Sequence, residues 1–205
     1  EVVKENRALQ TAVGNLNFTT HYQYDTWGRM LNMTYPDGEV VTYGYNPTGQ
    51  LVSISNNLGD FYLKNVTYNF FDQPVEIDYG NDVKTVNTYD LTQRVRSMRL
   101  DRPDTTTFMH NVYDYDKNQN IVKIANGSSQ HPLLKMGGIS NKIYAYDGFN
   151  RLASASGQWS GGDNESHDYS LTMAYNNTHG IVNKNQHHNV QSPVFNGLSD
   201  NTYNA

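Results

Sequence analysis

Apolar residues in this chain recur in short alternating runs, not at helical intervals. Leu31, Met33 and Tyr35 fall on one face of an extended segment, with Asn32 and Thr34 on the other. Val41, Tyr43 and Tyr45 share a face against Thr42, Gly44 and Asn46, and Val75, Ile77 and Tyr79 repeat the arrangement. A period of two predicts half-buried β-strands. Turn residues punctuate the runs. Asp37-Gly38 predicts a tight hairpin joining Leu31–Pro36 to Glu39–Tyr45. Gly80-Asn81-Asp82 and Arg102-Pro103-Asp104 stand in equivalent places. Two later stretches, Asn126–Gly138 and Ser156–His167, are rich in Gly, Ser, Asn and Gln and predict surface loops of the same sheet. No segment predicts a helix.

The runs and turns form a repeat. Tyr is followed by Asp or Asn, then two residues, then Gly or another residue tolerant of positive φ, often Arg or Gln, then an apolar residue. The copies are Tyr24-Asp25-Thr26-Trp27-Gly28-Arg29-Met30, Tyr45-Asn46-Pro47-Thr48-Gly49-Gln50-Leu51 and, more loosely, Tyr68-Asn69-Phe70-Phe71-Asp72-Gln73-Pro74. Next come Tyr89-Asp90-Leu91-Thr92-Gln93-Arg94-Val95 and Tyr115-Asp116-Lys117-Asn118-Gln119-Asn120-Ile121. Tyr146-Asp147-Gly148-Phe149-Asn150-Arg151-Leu152 and Tyr175-Asn176-Asn177-Thr178-His179-Gly180-Ile181 complete the series. Tyr positions 24, 45, 68, 89, 115, 146 and 175 give spacings of 21, 23, 21, 26, 31 and 29. Asn6-Arg7-Ala8-Leu9 reads as the tail of a preceding copy, so residues 1–23 are a partial repeat. Asn201–Ala205 reads as another incomplete copy. Residues 1–205 are therefore expected to be a single array cut from a longer one.

Each part of the repeat has a physical role. Asp or Asn after Tyr can bond backbone two residues on and close an Asx-turn. Gly28, Gly49 and Gly180 are expected to supply positive φ, with Asn150 as the next best choice. One unit is two strands and two turns, and it cannot bury its apolar side alone. Neighbouring hairpins must pair edge to edge. The recurring Tyr residues should then line up across strands, contributing on the order of 0.2–1 kcal/mol per pair. A growing twisted sheet curls. The expected fold is all-β, a curved or spiralling antiparallel sheet of successive hairpins.

Composition fits a thin sheet. Of 205 residues, 37% are apolar and 17% charged, against roughly 45–50% and 25% in average domains. Counting the 16 Gly in place of the 16 Tyr leaves the apolar share unchanged. A sheet wetted on at least one face suits this better than a deep core. The longest apolar run, Ile143–Tyr146, is too short to cross a membrane as a helix. A net charge of −5 without a basic stripe is unsuited to nucleic acid. The 12% aromatic content argues against disorder. No cysteine is present, which excludes disulfides, thiolate metal sites and cysteine nucleophiles.

Several clusters invite chemistry. Asp114-Tyr115-Asp116-Lys117-Asn118-Gln119-Asn120 has oxygen ligands at alternate positions, but a calcium loop needs Gly at 119 and Glu at 125, where Gln119 and Ala125 stand. His179, His187 and His188 lack metal-ligand spacing, and a polar C-terminal loop is the better reading. Asp25, Asp90 and Asp147 recur with the turns along a wall, not as two carboxylates in one cleft. Arg29, Arg94 and Arg151 recur after the turns and are expected to pair with Asp or stack on Tyr. Trp27 and Trp159 among Asn and Asp are the inventory of a sugar-binding surface, although packing explains repeated aromatics first. Asn-x-Ser/Thr triplets at Asn17, Asn32, Asn65, Asn126, Asn164 and Asn176 matter only in a eukaryotic secretory pathway. No catalytic residue, metal ligand or cofactor site is expected.

The Tyr-Asp-x-x-Gly-Arg-Leu pattern, clearest at Tyr24–Leu31, Tyr89–Val95 and Tyr146–Leu152, resembles the YD repeat of rearrangement-hotspot (Rhs) proteins, insecticidal toxin complexes and teneurins. The resemblance runs from about Asn6 to Ile181. It implies an all-β strip that coils into a hollow shell, enclosing a toxic C-terminal polypeptide in bacterial members and serving adhesion in teneurins. The family's aspartyl self-cleavage resides in a core domain after the repeats, and no segment here matches it. The resemblance makes the structural signature Tyr24, Asp25, Gly28, Arg29, Tyr45, Gly49, Tyr68, Tyr89, Asp90, Arg94, Tyr115, Asp116, Tyr146, Asp147, Arg151, Tyr175 and Gly180. It implies a non-catalytic wall segment, secreted or at the bacterial surface. Expected partners are the remaining repeats and an enclosed polypeptide, with no nucleic acid and no membrane insertion. A carbohydrate-binding or adhesion module is the alternative. Exposed edge strands are expected to drive self-association.

Overall fold

The computed structural model describes residues 1–204 apart from 13, 105, 129, 132–136, 163 and 193–195. Two compact units appear, Glu1–Thr85 and Val86–Ala205. The first contains β1 (Lys4–Thr11), β2 (Gly14–Tyr24), β3 (Met30–Thr34), β4 (Val40–Tyr45), β5 (Leu51–Asn56), β6 (Phe61–Tyr68) and β7 (Pro74–Tyr79). Strand β8 (Lys84–Tyr89) begins in it. The second contains β9 (Val95–Asp101), β10 (Thr107–Tyr115), β11 (Ile121–Asn126), β12 (Ile139–Tyr146), β13 (Leu152–Ser160), β14 (Ser166–Tyr175), β15 (Ile181–Gln191) and β16 (Asn196–Asn204). From β1 to β7, and again from β9 to β16, each strand pairs antiparallel with the next. The all-β antiparallel expectation holds in both units.

The core is thin. Val41, Leu63 and Val66 are buried in the first unit and Ala155 in the second, and no described side chain is fully enclosed. The accessible surface is 13550 Å², whereas a compact chain of this mass exposes about 9,700 Å². Each unit is one layer thick, so backbone pairing and edge contacts carry stability that a second layer would otherwise supply.

A β-bulge follows nearly every signature turn. Tyr24 pairs with Met30 but Gln23 pairs with Asn32, leaving Leu31 without a partner. Val52, Val75, Val122, Ala153 and Val182 are left over in the same way. The bulge corrects the predicted alternation. Met30 and Met33, three residues apart, take the face of Tyr24 and Tyr22, while Leu31 sits on the bulge. The same spacing recurs at Leu51 and Ile54, and at Ile121 and Ile124.

The intervening turns also differ from expectation. Tyr35 N–H donates to Glu39 O and Gly38 N–H to Tyr35 O, so the loop is three residues, Pro36-Asp37-Gly38. A type I turn followed by Gly38 at φ 92° explains the length. The Gly80-Asn81-Asp82 loop is built alike, closed by Tyr79 and Val83. The supposed loop Ser156–His167 is mostly strand: Ser160 pairs with Ser166 and only residues 161–165 connect them. Cross-strand pairing satisfies the polar backbone there, and Gly157 fits because the Tyr169 ring occupies the place of a side chain. Parts of the Asn126–Gly138 loop, residues 129 and 132–136, lie outside the described residues. Its base is held by Asn126, whose Nδ2 donates to Gly138 O at 2.8 Å and whose Oδ1 accepts His110 N–H at 2.8 Å.

Candidate functional site: the clamped signature turns

The signature turns share one backbone geometry. Asp25 N–H donates to Arg29 O and Gly28 N–H to Asp25 O, enclosing a three-residue loop. The six later copies repeat both bonds at 46–50, 69–73, 90–94, 116–120, 147–151 and 176–180. The fourth residue after Tyr takes positive φ in every copy: Gly28, Gly49, Asp72, Gln93, Gln119, Asn150 and His179. Gly180 is therefore corrected. It stands one place later, where other copies carry Arg, Gln or Asn, and His179 at φ 64° adopts the left-handed conformation.

The acidic position divides its two oxygens. Asp25 Oδ1 accepts the N–H of Trp27 at 2.8 Å and of Arg29 at 2.9 Å, while Oδ2 accepts Arg29 Nε at 2.6 Å. Asp90 with Arg94 and Asp147 with Arg151 match it bond for bond. Where the sequence has Asn, its partner changes to suit. Asn46 Oδ1 still accepts Thr48 and Gln50 N–H, but Nδ2 donates to Gln50 Oε1 at 2.6 Å. Asn69 does the same with Gln73. Asp116 accepts Asn120 Nδ2 at 3.0 Å. A carboxylate meets a donor and a carboxamide meets an amide, while Asn176, opposite Gly180, closes its turn through Oδ1, which accepts the N–H of Thr178 and Gly180.

Successive copies are then tied together. The hydroxyl of Tyr45 donates to Met30 O, Tyr68 to Leu51 O, Tyr115 to Val95 O, Tyr146 to Ile121 O and Tyr175 to Leu152 O, all between 2.7 and 2.9 Å. Each acceptor is the apolar residue that closes the preceding copy. Arginine adds a stacking contact: Arg29 lies 4.5 Å over Tyr45, Arg94 4.3 Å over Tyr115 and Arg151 4.4 Å over Tyr175. The Asp clamp fixes each guanidinium from one side while the next Tyr covers it from the other.

Electrostatics follow these contacts. Arg151 holds the Asp147 carboxyl below the usual range, by side-chain hydrogen bond first and backbone N–H next. Asn120 does this for Asp116. Burial pushes Asp25 and Asp90 upward, but hydrogen bonds from Arg29 and Trp27, and from Thr92 and Arg94, outweigh it and leave both lowered. Burial pushes the phenols of Tyr68, Tyr89, Tyr115 and Tyr146 up.

The other candidates do not converge. Asp114 pairs with Arg96, whereas Asp116 closes its own turn through Asn118 and Asn120. His187 and His188 lie in β15, not in a loop, and face opposite sides of the sheet. His179 contacts Arg151 Nη1 at 3.0 Å on a turn. Trp159 Nε1 donates to Gly137 O at 3.2 Å, while Trp27 is 70% exposed at a turn tip. Sequence reasoning missed the hydroxyl-to-carbonyl bonds and the pairing of Asn with Gln. Aligning the copies on fixed offsets would have shown the second.

These features define a repeat protein of consecutive antiparallel hairpins, each closed by a signature turn and, at five copies, bonded through its Tyr hydroxyl to the preceding one. Residues 9–40 and 24–60 match the family model described as RHS Repeat. The Toxin subunit YenC1 of Yersinia entomophaga is 27% identical over 152 residues, covering 69% of this chain and 16% of that protein. The TcdB2-TccC3-Cdc42 crystal structure superposes with a TM-score of 0.77 at 20% identity, over 97% of this chain and 11% of that one. The Photorhabdus luminescens Tc holotoxin pore gives 0.74 at 20% identity, again over 97% and 11%. The chain thus spans 16% of its curated relative and 11% of these matched chains. The RHS Repeat match covers residues 9–60, and the chain shares the fold of the matched part of these Tc toxin structures.

Proposed function

We propose that this chain is a non-catalytic wall segment of a secreted bacterial toxin subunit, and that its parent encloses a C-terminal polypeptide. The observation that carries this reading is that the signature side chains are spent on structure. Tyr hydroxyls bond the preceding copy, and the Asp or Asn oxygens close their own turns. The likeness to a toxin subunit and to Tc toxin folds supports the same role. The test is protease challenge of the natively purified full-length parent, followed by mass spectrometry. A C-terminal polypeptide that stays bound and uncut is the expected result. A parent with no protected tail would overturn enclosure. Carbohydrate binding has one supporting feature, the exposed ring of Trp27. Glycan-array binding that disappears in Trp27→Ala would favour that reading instead.

A further inference from the structure

We propose that His167 and His188 form a proton-sharing link between β14 and β15 which a first added proton leaves closed and a second opens. Register pairs His167 with Val190 and Tyr169 with His188, so the two histidines are diagonal neighbours on one face. His167 Nδ1 lies 3.1 Å from His188 Nε2. The rings are 24° from parallel with centroids 5.3 Å apart. A ring nitrogen sits at the rim of its ring. A centroid separation exceeding the N–N distance by this much requires both nitrogens to lie near the line of centres. The rings therefore meet nitrogen to nitrogen, not face over face. Only one proton fits between them, with one nitrogen donating and the other accepting.

The second nitrogen of His167 fixes which is which. Its Nε2 is 3.1 Å from Glu165 Oε1. An ionised carboxylate only accepts, so that nitrogen carries a proton and Nδ1 is the acceptor for His188 Nε2–H. Trp159 packs edge-on against the His167 ring at 5.2 Å and walls it on the β13 side. One proton can be added at the outer nitrogen, His188 Nδ1, with the shared bond intact. The charge can equally rest on His167, beside Glu165. A second added proton has only the shared position left. Two N–H groups then point at each other and two cations face across the former bond.

The surroundings give this pair a single contacting carboxylate among the described residues. On the same face, β13 brings Trp159 and Gly157, neither of which titrates. Tyr169 of β14 lies opposite His188, and its hydroxyl is engaged with Tyr144 of β12. Lys142 of β12 shares the transverse row through Gly157 and Tyr169. Further along β15 on this face are Gln186 and Lys184. Asp168 is on the opposite face and accepts Asn189 Nδ2 at 3.1 Å. In β16 the register sets Ser199 opposite His188 and Asp200 opposite His187. Lys142 and Lys184 share the face but lie away from the pair, on β12 and further along β15.

The test is imidazole ¹⁵N spectroscopy with amide exchange on the 205-residue chain, from about pH 8 to about pH 4, the range in which histidine titrates. The expected result is that both rings shift together in two stages, and that amides flanking His167 and His188 lose protection only in the second. In His188→Gln the side-chain amide still donates to His167, so His167 shifts in one stage and the loss of protection disappears. His167→Gln gives the same comparison from the other strand. Rings that shift independently, each unaffected when the other is replaced, would overturn the proposal.

Discussion

The hydroxyl of Tyr146 donates to the carbonyl oxygen of Ile121, 2.9 Å away and 25 residues back in the chain. Ile121 is the last residue before a bulge at Val122. A bulge interrupts the ladder, so a carbonyl beside it gains from an acceptor role outside the sheet. The phenol supplies that donor without adding a second layer. With no fully enclosed side chain among the described residues, such bonds bear weight that a core would otherwise carry.

The turns should be sensitive to backbone conformation and indifferent to added volume. Gly38 has φ 92° and open space around it. Gly38→Ala is expected to cost about 1–2 kcal/mol, the penalty of the left-handed conformation. Gly127 also faces open space but lacks positive φ, and Gly127→Ala is expected to change stability by less than about 0.5 kcal/mol. Urea unfolding of both variants checks the contrast.

The clamp should obey donor–acceptor matching. Asn46→Asp alone sets a carboxylate against Gln50 Oε1 and is expected to cost about 1 kcal/mol. Adding Gln50→Arg converts the pair to the Asp25–Arg29 type and should recover the loss. The new guanidinium also lies near Asp72, which now accepts Gln50 Nε2 at 2.6 Å. A double-mutant cycle in urea reads the coupling directly.

Stability should fall toward both pH extremes, for opposite reasons. The carboxyls of Asp25, Asp90, Asp116 and Asp147 are lowered in the folded chain. Their contribution is complete above the ordinary aspartate range, about pH 4, and is lost as pH falls below it. The phenols of Tyr68, Tyr89, Tyr115 and Tyr146 are raised. Their contribution is complete below about pH 10 and declines as pH rises beyond it, because the unfolded chain ionises first. Outside the histidine range, melting temperature against pH should be flat between these limits. Asp147→Asn should flatten part of the acid limb.

Much of this architecture was legible in the chain. Period-two runs gave strands such as Val40–Tyr45, and the repeated Tyr followed by Asp or Asn gave the signature turns. What failed did so for local reasons. Leu31 read as a face residue because alternation carries no mark of a bulge. Gly180 read as the left-handed position because glycine permits that conformation, yet the three-residue loop assigns it to His179. Ser156–Ser160 read as loop because its residues are small and polar, although pairing with β14 makes it strand. The link between His167 and His188 depends on register across 21 residues, which no local motif encodes.

The most direct test is the Tyr-to-Phe series at Tyr45, Tyr68, Tyr115, Tyr146 and Tyr175, measured by urea unfolding. Each substitution removes one hydroxyl-to-carbonyl bond and leaves the ring in place. The account predicts a loss of about 1 kcal/mol at each position, additive within about 0.5 kcal/mol for Tyr115 with Tyr175, which share no partner. Five variants as stable as the parent would contradict it, and would move the weight of the sheet from these bonds to the strands alone.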